Sequence, residues 1–246
     1  MSDAPRIEAF LEMMSAERGA SPNTLDAYGR DLRDASGSLK GKLTQAGASD
    51  VSRYVTSLAA QGLAARTQAR KLSSLRRFFR FLFEEGDRTD DPTSRLEGPK
   101  ARRDVPDVLS REEVERLIDA CGEDLRMRCL LELLYGAGLR VSELVSLKLG
   151  NLPRQKAGRW ETRDIIVRGK GGKDRLCPLG TPALEAISAW LEVREESLPK
   201  KTLKAKGAGA YLFPSRGKEG HLTRRRLGQM LDALALEAGV KPAKVH

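Results

Sequence analysis

LLELLYGAGLRVSELVSLK, residues 130–148, is a buried helical pattern that is broken just before an arginine. The run LLELLY is apolar on nearly every side, which predicts a helix in the middle of a domain. Gly136 and Gly138 predict its end, because glycine adopts positive φ at little cost, and a second helical pattern follows. Arg140 is therefore expected at a rigid corner, where a guanidinium suits bidentate contact with phosphate, with Glu143 holding it in place. The alternative is that these two residues form only a local ion pair that caps the turn.

The composition indicates a polyanionic partner. The 246 residues allow one large or two small domains, and the net charge of +10 with a pI near 9.7 favours nucleic acid. No long uncharged apolar run and no secretory signal are visible, so no membrane contact is expected and the predicted location is cytoplasmic. The three cysteines, at unrelated spacings, predict reduced core thiols, and with only two histidines no metal site is expected.

Residues 1–88 predict a four-helix domain. Ser21 and Pro22 are typical of an N-cap and a first helical position. The fourth helix, 65–85, has two opposed faces. Its apolar face is predicted to hold Leu72, Leu75, Phe79, Leu82 and Phe83. Its other face holds Ser73 and four arginines that are predicted to bind DNA, Arg66, Arg70, Arg77 and Arg80. Such a ladder repels itself unless an anion lies alongside, and DNA phosphates would supply one; the alternative is a solvated face with counterions.

Residues 89–107 are rich in proline, glycine and charge and lack periodicity, as is typical of an interdomain linker. Lys100, Arg102 and Arg103 are expected to follow a phosphate backbone. A basic linker between two basic domains predicts a clamp around duplex DNA. The alternative is a tether that only improves solubility.

Residues 108–246 predict a second domain. Ser110 and Glu113 form a capping-box pattern that opens its first helix. Two strand patterns flank RGKGGK, residues 168–173, which predicts a β-hairpin with a glycine-rich, cationic tip. Lys170 and Lys173 are expected near an anion, although an exposed hairpin with lysines is also unremarkable. The pattern is not a phosphate-binding Walker loop.

Three later segments complete this domain. An amphipathic helix is predicted over 182–198, and YLFP, residues 211–214, is predicted to be a short buried strand. A last helix opens near Leu222, and Arg224 and Arg225 at its start are candidates for DNA contact or for a solvated face.

Several motifs resemble those of tyrosine recombinases, the enzymes of site-specific DNA strand exchange, and most closely the bacterial Xer type. GAGLRVSEL, residues 136–144, resembles the family's first arginine box. SPNTLDAYGRDL, residues 21–32, and RFFRFL, residues 77–82, are similar to the second and fourth helices of its core-binding domain. LSREEV, residues 109–114, and LFP, residues 212–214, are similar to catalytic-domain elements. The resemblance implies a mainly α fold with a small β-hairpin or sheet: a helical core-binding domain followed by an incomplete mixed α/β catalytic domain.

The resemblance also implies the chemistry. Arg140 and Lys170 would be catalytic, Glu143 would support Arg140, and no cofactor would be needed. A tyrosine would attack the scissile phosphate and form a 3′-phosphotyrosyl intermediate. The implied partners are a double-stranded recombination site, a second recombinase subunit in a tetramer on DNA and, as an activator, a DNA translocase. The implied role is resolution of chromosome dimers at cell division.

The last residues, GVKPAKVH, 239–246, resemble the lead-in to the family's His-x-Leu-Arg-His box. The second arginine and the nucleophilic tyrosine are expected downstream, and it stays open whether His246 belongs to that box. Tyr28, Tyr54, Tyr135 and Tyr211 all lie in predicted core patterns, so the 246 residues are expected to bind DNA without cleaving it. A non-catalytic clamp on the same scaffold is the alternative, and a basic RNA-binding protein is a weaker one, because aromatic residues are only 5% of the chain.

Overall fold

The computed structural model describes residues 2–98, 108–156, 159–169, 173–198, 202 and 207–242. The chain divides into two compact units, Met1–Asp104 and Val105–His246. Five residues singled out from the sequence lie outside the described ranges: Lys100, Arg102, Arg103, Lys170 and His246. Within those ranges, no helix has both the length and the apolar character needed to cross a bilayer.

The first unit contains the four predicted helices. They are α1 (Asp3–Ala16), α2 (Pro22–Ser38), α3 (Ala48–Ala60) and α4 (Ala65–Glu84), with a 3₁₀ turn at Leu43–Gln45. Ser21 caps α2 as predicted, since its side chain accepts a hydrogen bond from the Thr24 N–H at 3.3 Å.

The buried face of α4 differs in part from the prediction. Phe83 was expected inside, but it is 52% exposed. Phe78 and Phe81 are buried instead, with ring centroids 5.6 and 5.7 Å from that of Phe10 on α1. The reason is that α1 packs on one flank of α4, which widens the buried face on that side and leaves position 83 on the other flank.

In its described residues the second unit is mainly helical with two small antiparallel sheets, so the mainly α fold class is confirmed. Its helices are α5 (Arg111–Ala120), α6 (Leu125–Gly136), α7 (Val141–Val145), α8 (Thr181–Ser197) and α9 (Arg224–Glu237). Its strands are β1 (Gln155–Lys156), which pairs with β2 (Arg159–Trp160), and β3 (Asp164–Arg168), which pairs with β4 (Asp174–Pro178). The β3–β4 pair is the predicted hairpin.

The core of this unit forms where α6 packs against α8, as the apolar run in α6 predicts. Leu130 and Leu133 are fully buried, and Trp190 of α8 is almost so. Tyr135 was expected in the core but is 60% exposed. It follows Leu133 by two residues, about 200° around the helix, and therefore points away from α8. The three cysteines are buried and unpaired, as predicted.

The segment 211–214 is buried but does not form a strand. Leu212 and Phe213 are fully buried, which confirms the expected burial. Tyr211 forms an isolated bridge with Lys148, whereas Pro214 forms one with His221. Because each end pairs with a different segment, no continuous ladder develops and the predicted strand is wrong.

Candidate functional site

Arg140 lies at the corner between α6 and α7, as predicted. Helix α6 ends at Gly136, and Gly138 takes a φ of +58°, which lets the chain turn before α7. Arg140 is the N-cap residue of α7, and its backbone N–H donates to Glu143 Oε2 at 2.8 Å. Its Nη1 donates to Glu143 Oε1 at 3.0 Å. The Arg140 side chain is 62% exposed, so this local ion pair leaves most of the guanidinium accessible to an anion.

Glu143 is the carboxylate that organises this corner. Its side chain is only 8% exposed, and it accepts two further hydrogen bonds from Arg175 of β4, Nη1 to Oε1 at 2.5 Å and Nη2 to Oε2 at 2.7 Å. These bonds, with those from Arg140, lower the pKa of Glu143 to about 2. The same hydrogen bonding raises the pKa of Arg175. Glu143 is therefore ionised over the physiological range and joins α7 to β4.

Sequence reasoning missed Arg175. The strand pattern does contain a signal for Arg175, because residues 175 and 177 lie on the same face of β4 and Cys177 is buried. An arginine on the inward side of a hairpin needs an acceptor. The acceptor, Glu143, is 32 residues earlier in the chain, and its position could not be read from the strand pattern.

The base of the hairpin approaches Arg140. The Gly169 N–H donates to the Lys173 carbonyl oxygen at 2.8 Å, which continues the β3–β4 ladder. A Cβ added to Gly169 would lie 3.2 Å from that oxygen, 3.6 Å from Arg175 Nη1 and 3.9 Å from Arg140 Nη1. Lys173 is exposed. The structure therefore brings Gly169, Arg140 and Arg175 together, and Lys170, which follows Gly169, lies outside the described residues.

The start of α9 lies beside α7. Thr223 caps α9, since its side chain accepts from the Arg226 N–H at 3.2 Å. Arg224 and Arg225 are exposed and line a groove of about 630 Å³ together with Val141, the residue after Arg140. A second groove, of about 300 Å³, runs on the other side of α7 between Ser142, Glu143, Ser146, Asn151 and the residues of β3. Both grooves border the Arg140 corner.

The arginine face of α4 belongs to the first unit, and two of its arginines pair with carboxylates of the same chain, which the spacing of the arginines does not predict. Arg70 donates to Asp31, a carboxylate that is 3% exposed, and Arg80 Nε donates to Glu84 Oε1 at 2.9 Å. Arg77 lies over the Tyr28 ring, 5.9 Å from its centroid. Arg66 is exposed. The prediction that this ladder depends on an outside anion therefore overlooked the partners of Arg70 and Arg80.

Comparison with known proteins agrees with these two units. Residues 107–246 match the model of the phage integrase family, and residues 7–86 match that of its N-terminal SAM-like domain. The tyrosine recombinase XerD of Caulobacter vibrioides is 46% identical, over 97% of this chain and 77% of that protein. The XerD protein of Rhizobium meliloti is also 46% identical, over 98% of this chain and 78% of that protein.

Solved structures share the fold. A lambda integrase tetramer bound to a Holliday junction superposes with a TM-score of 0.70 at 17% identity, over 98% of this chain and 67% of that one. The Tn1549 transposon integrase in complex with circular intermediate DNA gives a TM-score of 0.68 at 20% identity, over the whole of this chain and 80% of that one. The family matches over both units and the two XerD relatives at 46% identity show that this chain belongs to the phage integrase family, as a tyrosine recombinase of the Xer type.

Proposed function

We propose that this recombinase resolves joined chromosome copies, that Arg140 and Lys170 are catalytic groups, and that duplex DNA is the partner of both units. The observation that carries the assignment of Arg140 is its setting. Its backbone and side chain are fixed by a buried carboxylate, Glu143, while its guanidinium stays open to solvent beside the base of the hairpin. A surface arginine without such a support would have to be ordered at the moment of reaction.

The role of Arg140 follows from the charge that develops at a phosphate under attack. Negative charge grows on the non-bridging oxygens, and a fixed cation stabilises it without reorganisation. Removal of one preorganised donor of this kind costs about 3 to 4 kcal/mol of transition-state stabilisation. Glu143 contributes by holding Arg140 in one geometry, so it is a supporting residue.

Lys170 is assigned the general-acid role, in which it gives a proton to the departing 5′ oxygen. The assignment rests on the family resemblance and on Gly169, whose missing side chain leaves 3.9 Å between its Cβ position and Arg140 Nη1. Because glycine has no side chain, the base of the hairpin can lie close to Arg140 and to a phosphate. A positioned general acid contributes roughly 100-fold to 10,000-fold in rate.

DNA binding is assigned to basic residues of both units and of the segment between them. In the second unit these are Lys173, Arg224 and Arg225, which are exposed near the Arg140 corner. In the first unit Arg66, Arg77 and Arg80 are exposed on one face of α4, whereas Arg70 is mainly a structural partner of Asp31. Lys100, Arg102 and Arg103 complete the set on sequence grounds. The proposed form on DNA is a tetramer with a second recombinase subunit, and the proposed activator, a DNA translocase, rests on the family resemblance of the sequence motifs alone.

We also propose that the 246 residues by themselves bind DNA without cutting it. Three of the four tyrosines support this. Tyr28 and Tyr54 are buried in the first unit, and Tyr211 is covered by the His221 ring, 4.8 Å from centroid to centroid. Tyr135 is exposed, so burial does not exclude it as a nucleophile and it needs a direct test.

The experiment is a trap for covalent intermediates. A duplex selected by the protein from a random library is nicked near the crossover point, so that a released fragment prevents religation and any phosphotyrosyl adduct accumulates. If the gene encodes residues beyond 246, its full product is expected to form the adduct, with Arg140→Ala and Lys170→Ala abolishing or slowing it by at least 100-fold. Lys218→Ala, an exposed lysine in the second unit, serves as the matched control.

The 246-residue chain is tested in the same assay. It is expected to bind and to leave no adduct. An adduct that disappears in Tyr135→Phe would show that the chain cuts DNA with Tyr135 and would overturn this part of the proposal. Binding by the natural product with no adduct under any condition would favour the non-catalytic clamp.

A further inference from the structure

The Arg140 corner carries more positive charge than the pair that the sequence predicts. Arg140 and Glu143 alone sum to zero, and such a pair would present no net charge to a phosphate. Arg175 adds a second guanidinium that binds both oxygens of Glu143. The three side chains together carry a net charge of +1. Arg140, at 62% exposure, is the most accessible of the three.

Arg175 also links the corner to the hairpin. It lies opposite Val167 in the β3–β4 register, close to the point where Gly169 bonds Lys173. Its Nη1 is 3.6 Å from the Cβ position of Gly169, and its Nη2 lies 3.5 Å from the Gly138 carbonyl oxygen in the turn before Arg140. One side chain therefore contacts the hairpin base, the carboxylate and the turn.

We propose that Arg175 is a positioning residue, which binds Glu143 so that the Arg140 guanidinium remains available to a DNA phosphate, and which holds the hairpin base against that site. This inference rests on the proposed function, because it assumes that Arg140 faces DNA. Without Arg175, the Glu143 carboxylate has Arg140 as its one remaining guanidinium partner within the described part of the chain. It would then compete with the phosphate for Arg140.

The test uses the 246-residue chain and a duplex oligonucleotide, with the dissociation constant measured over a series of salt concentrations. Each phosphate contact contributes about 0.9 to the slope of log affinity against log salt concentration. Arg175→Met is expected to lower that slope by about 0.9 and the affinity by about fivefold to tenfold. Arg111→Met is the matched control, because it removes an exposed arginine that also pairs with a carboxylate, Glu115. It is expected to change the affinity by less than about twofold.

The decisive variant combines Arg175→Met with Glu143→Gln. If Arg175 acts through Glu143, removal of the unsatisfied carboxylate should bring the salt slope back towards that of the unmodified chain and raise the affinity at least about threefold above that of Arg175→Met; a part of the loss remains, because Glu143 also holds Arg140 in place. If Arg175 itself binds a phosphate, or only stabilises the fold, the double variant stays as weak as Arg175→Met, and the inference is wrong. If Arg175→Met leaves binding unchanged, the inference is also wrong.

Folding is checked by tryptophan fluorescence, because both tryptophans, Trp160 and Trp190, belong to the second unit. Should Arg175→Met fail to fold, Arg175→Lys keeps the charge but lacks the two-pronged geometry and is expected to show an intermediate loss of affinity. An unmodified chain that does not bind duplex DNA in a salt-dependent way would instead refute the proposed function. The two failures are therefore distinguishable.

Discussion

The pair formed by Arg70 and Asp31 gives a test of which arginines on α4 stabilise the fold and which are available to DNA. The Asp31 side chain is 3% exposed and is bound by Arg70, while Lys71 Nζ lies 3.6 Å from its other oxygen. Removing one partner of a buried ion pair costs about 3 to 5 kcal/mol. Because Arg70 is 42% exposed and Lys71 remains, we expect a loss below that range, about 2 kcal/mol, for Arg70→Met.

This loss should appear as a lower melting temperature of the first unit. At about 4 to 8 °C per kcal/mol for a domain of this size, the expected decrease is about 8–16 °C. Far-ultraviolet circular dichroism follows both units, whereas tryptophan fluorescence follows the second unit alone. The dichroism transition should therefore shift while the fluorescence transition stays in place. Hydrogen exchange should increase in α2 and α4.

The matched control is Arg66→Met, which removes an exposed arginine from the same face of α4. Within the described part of the chain, Arg66 has no ion-pair partner. It should leave the melting temperature within about 1 °C and lower the salt slope of DNA binding by about 0.9. If Arg70→Met were as stable as Arg66→Met and lost more DNA affinity, Arg70 would be a DNA contact, and the structural role derived from Asp31 would be wrong.

Three further predictions concern single positions. Gly169→Ala should weaken the hairpin base, because its Cβ would lie 3.2 Å from the Lys173 carbonyl oxygen; faster hydrogen exchange in β3 and β4 would show this, and unchanged exchange would contradict it. Asp3→Asn should lower the free energy of unfolding by about 2 kcal/mol, measured by urea titration, because the buried carboxylate accepts four hydrogen bonds that an amide can satisfy only in part. The pKa of Glu143 falls from 4.5 to about 2 on folding, so its contribution is present above pH 4.5 and is lost as the pH falls towards 2. The full pKa shift corresponds to about 3 kcal/mol of folding free energy, which solvent screening reduces to about 1 to 2 kcal/mol. The fluorescence-detected melting temperature should therefore fall more steeply below pH 4.5 in the unmodified chain than in Glu143→Gln. Equal slopes in the two proteins would refute this role.

Local patterns in the sequence predicted the elements well. The capping box is confirmed, since Ser110 Oγ accepts from the Glu113 N–H at 3.2 Å and the Glu113 carboxylate accepts from the Ser110 N–H at 2.8 Å. The antiparallel pairing of β3 with β4 and the break of α6 at Gly136 are also confirmed. Each of these depends on residues within a few positions of one another, so the sequence contains the whole signal.

Features that depend on tertiary packing were harder to predict. Phe83 and Tyr135 lie in apolar runs that predict burial, but the directions from which α1 and α8 approach leave both side chains exposed. The partners Asp31 of Arg70 and Glu143 of Arg175 are 39 and 32 residues away along the chain. The spacing of arginines along a helix predicts a basic face, but it does not predict which distant carboxylates pair with those arginines.

The Arg140 corner shows both cases. Its turn, its arginine and its Glu143 partner follow from nine consecutive residues, 136–144. Its third member, Arg175, comes from a different element, and so does the close approach of Gly169. The sequence thus indicates the catalytic candidate, whereas Arg175 becomes visible only in the structure, through its bonds to Glu143.

The most direct test of the central claim is the salt dependence of duplex binding by Arg140→Ala, measured beside its melting temperature. If Arg140 faces a phosphate, the salt slope should fall by about 0.9 while the fluorescence-detected melting temperature changes little, because its guanidinium is 62% exposed. If the slope is unchanged and the melting temperature falls by several degrees, Arg140 serves only as a local ion pair that caps α7, and the account of the site is wrong.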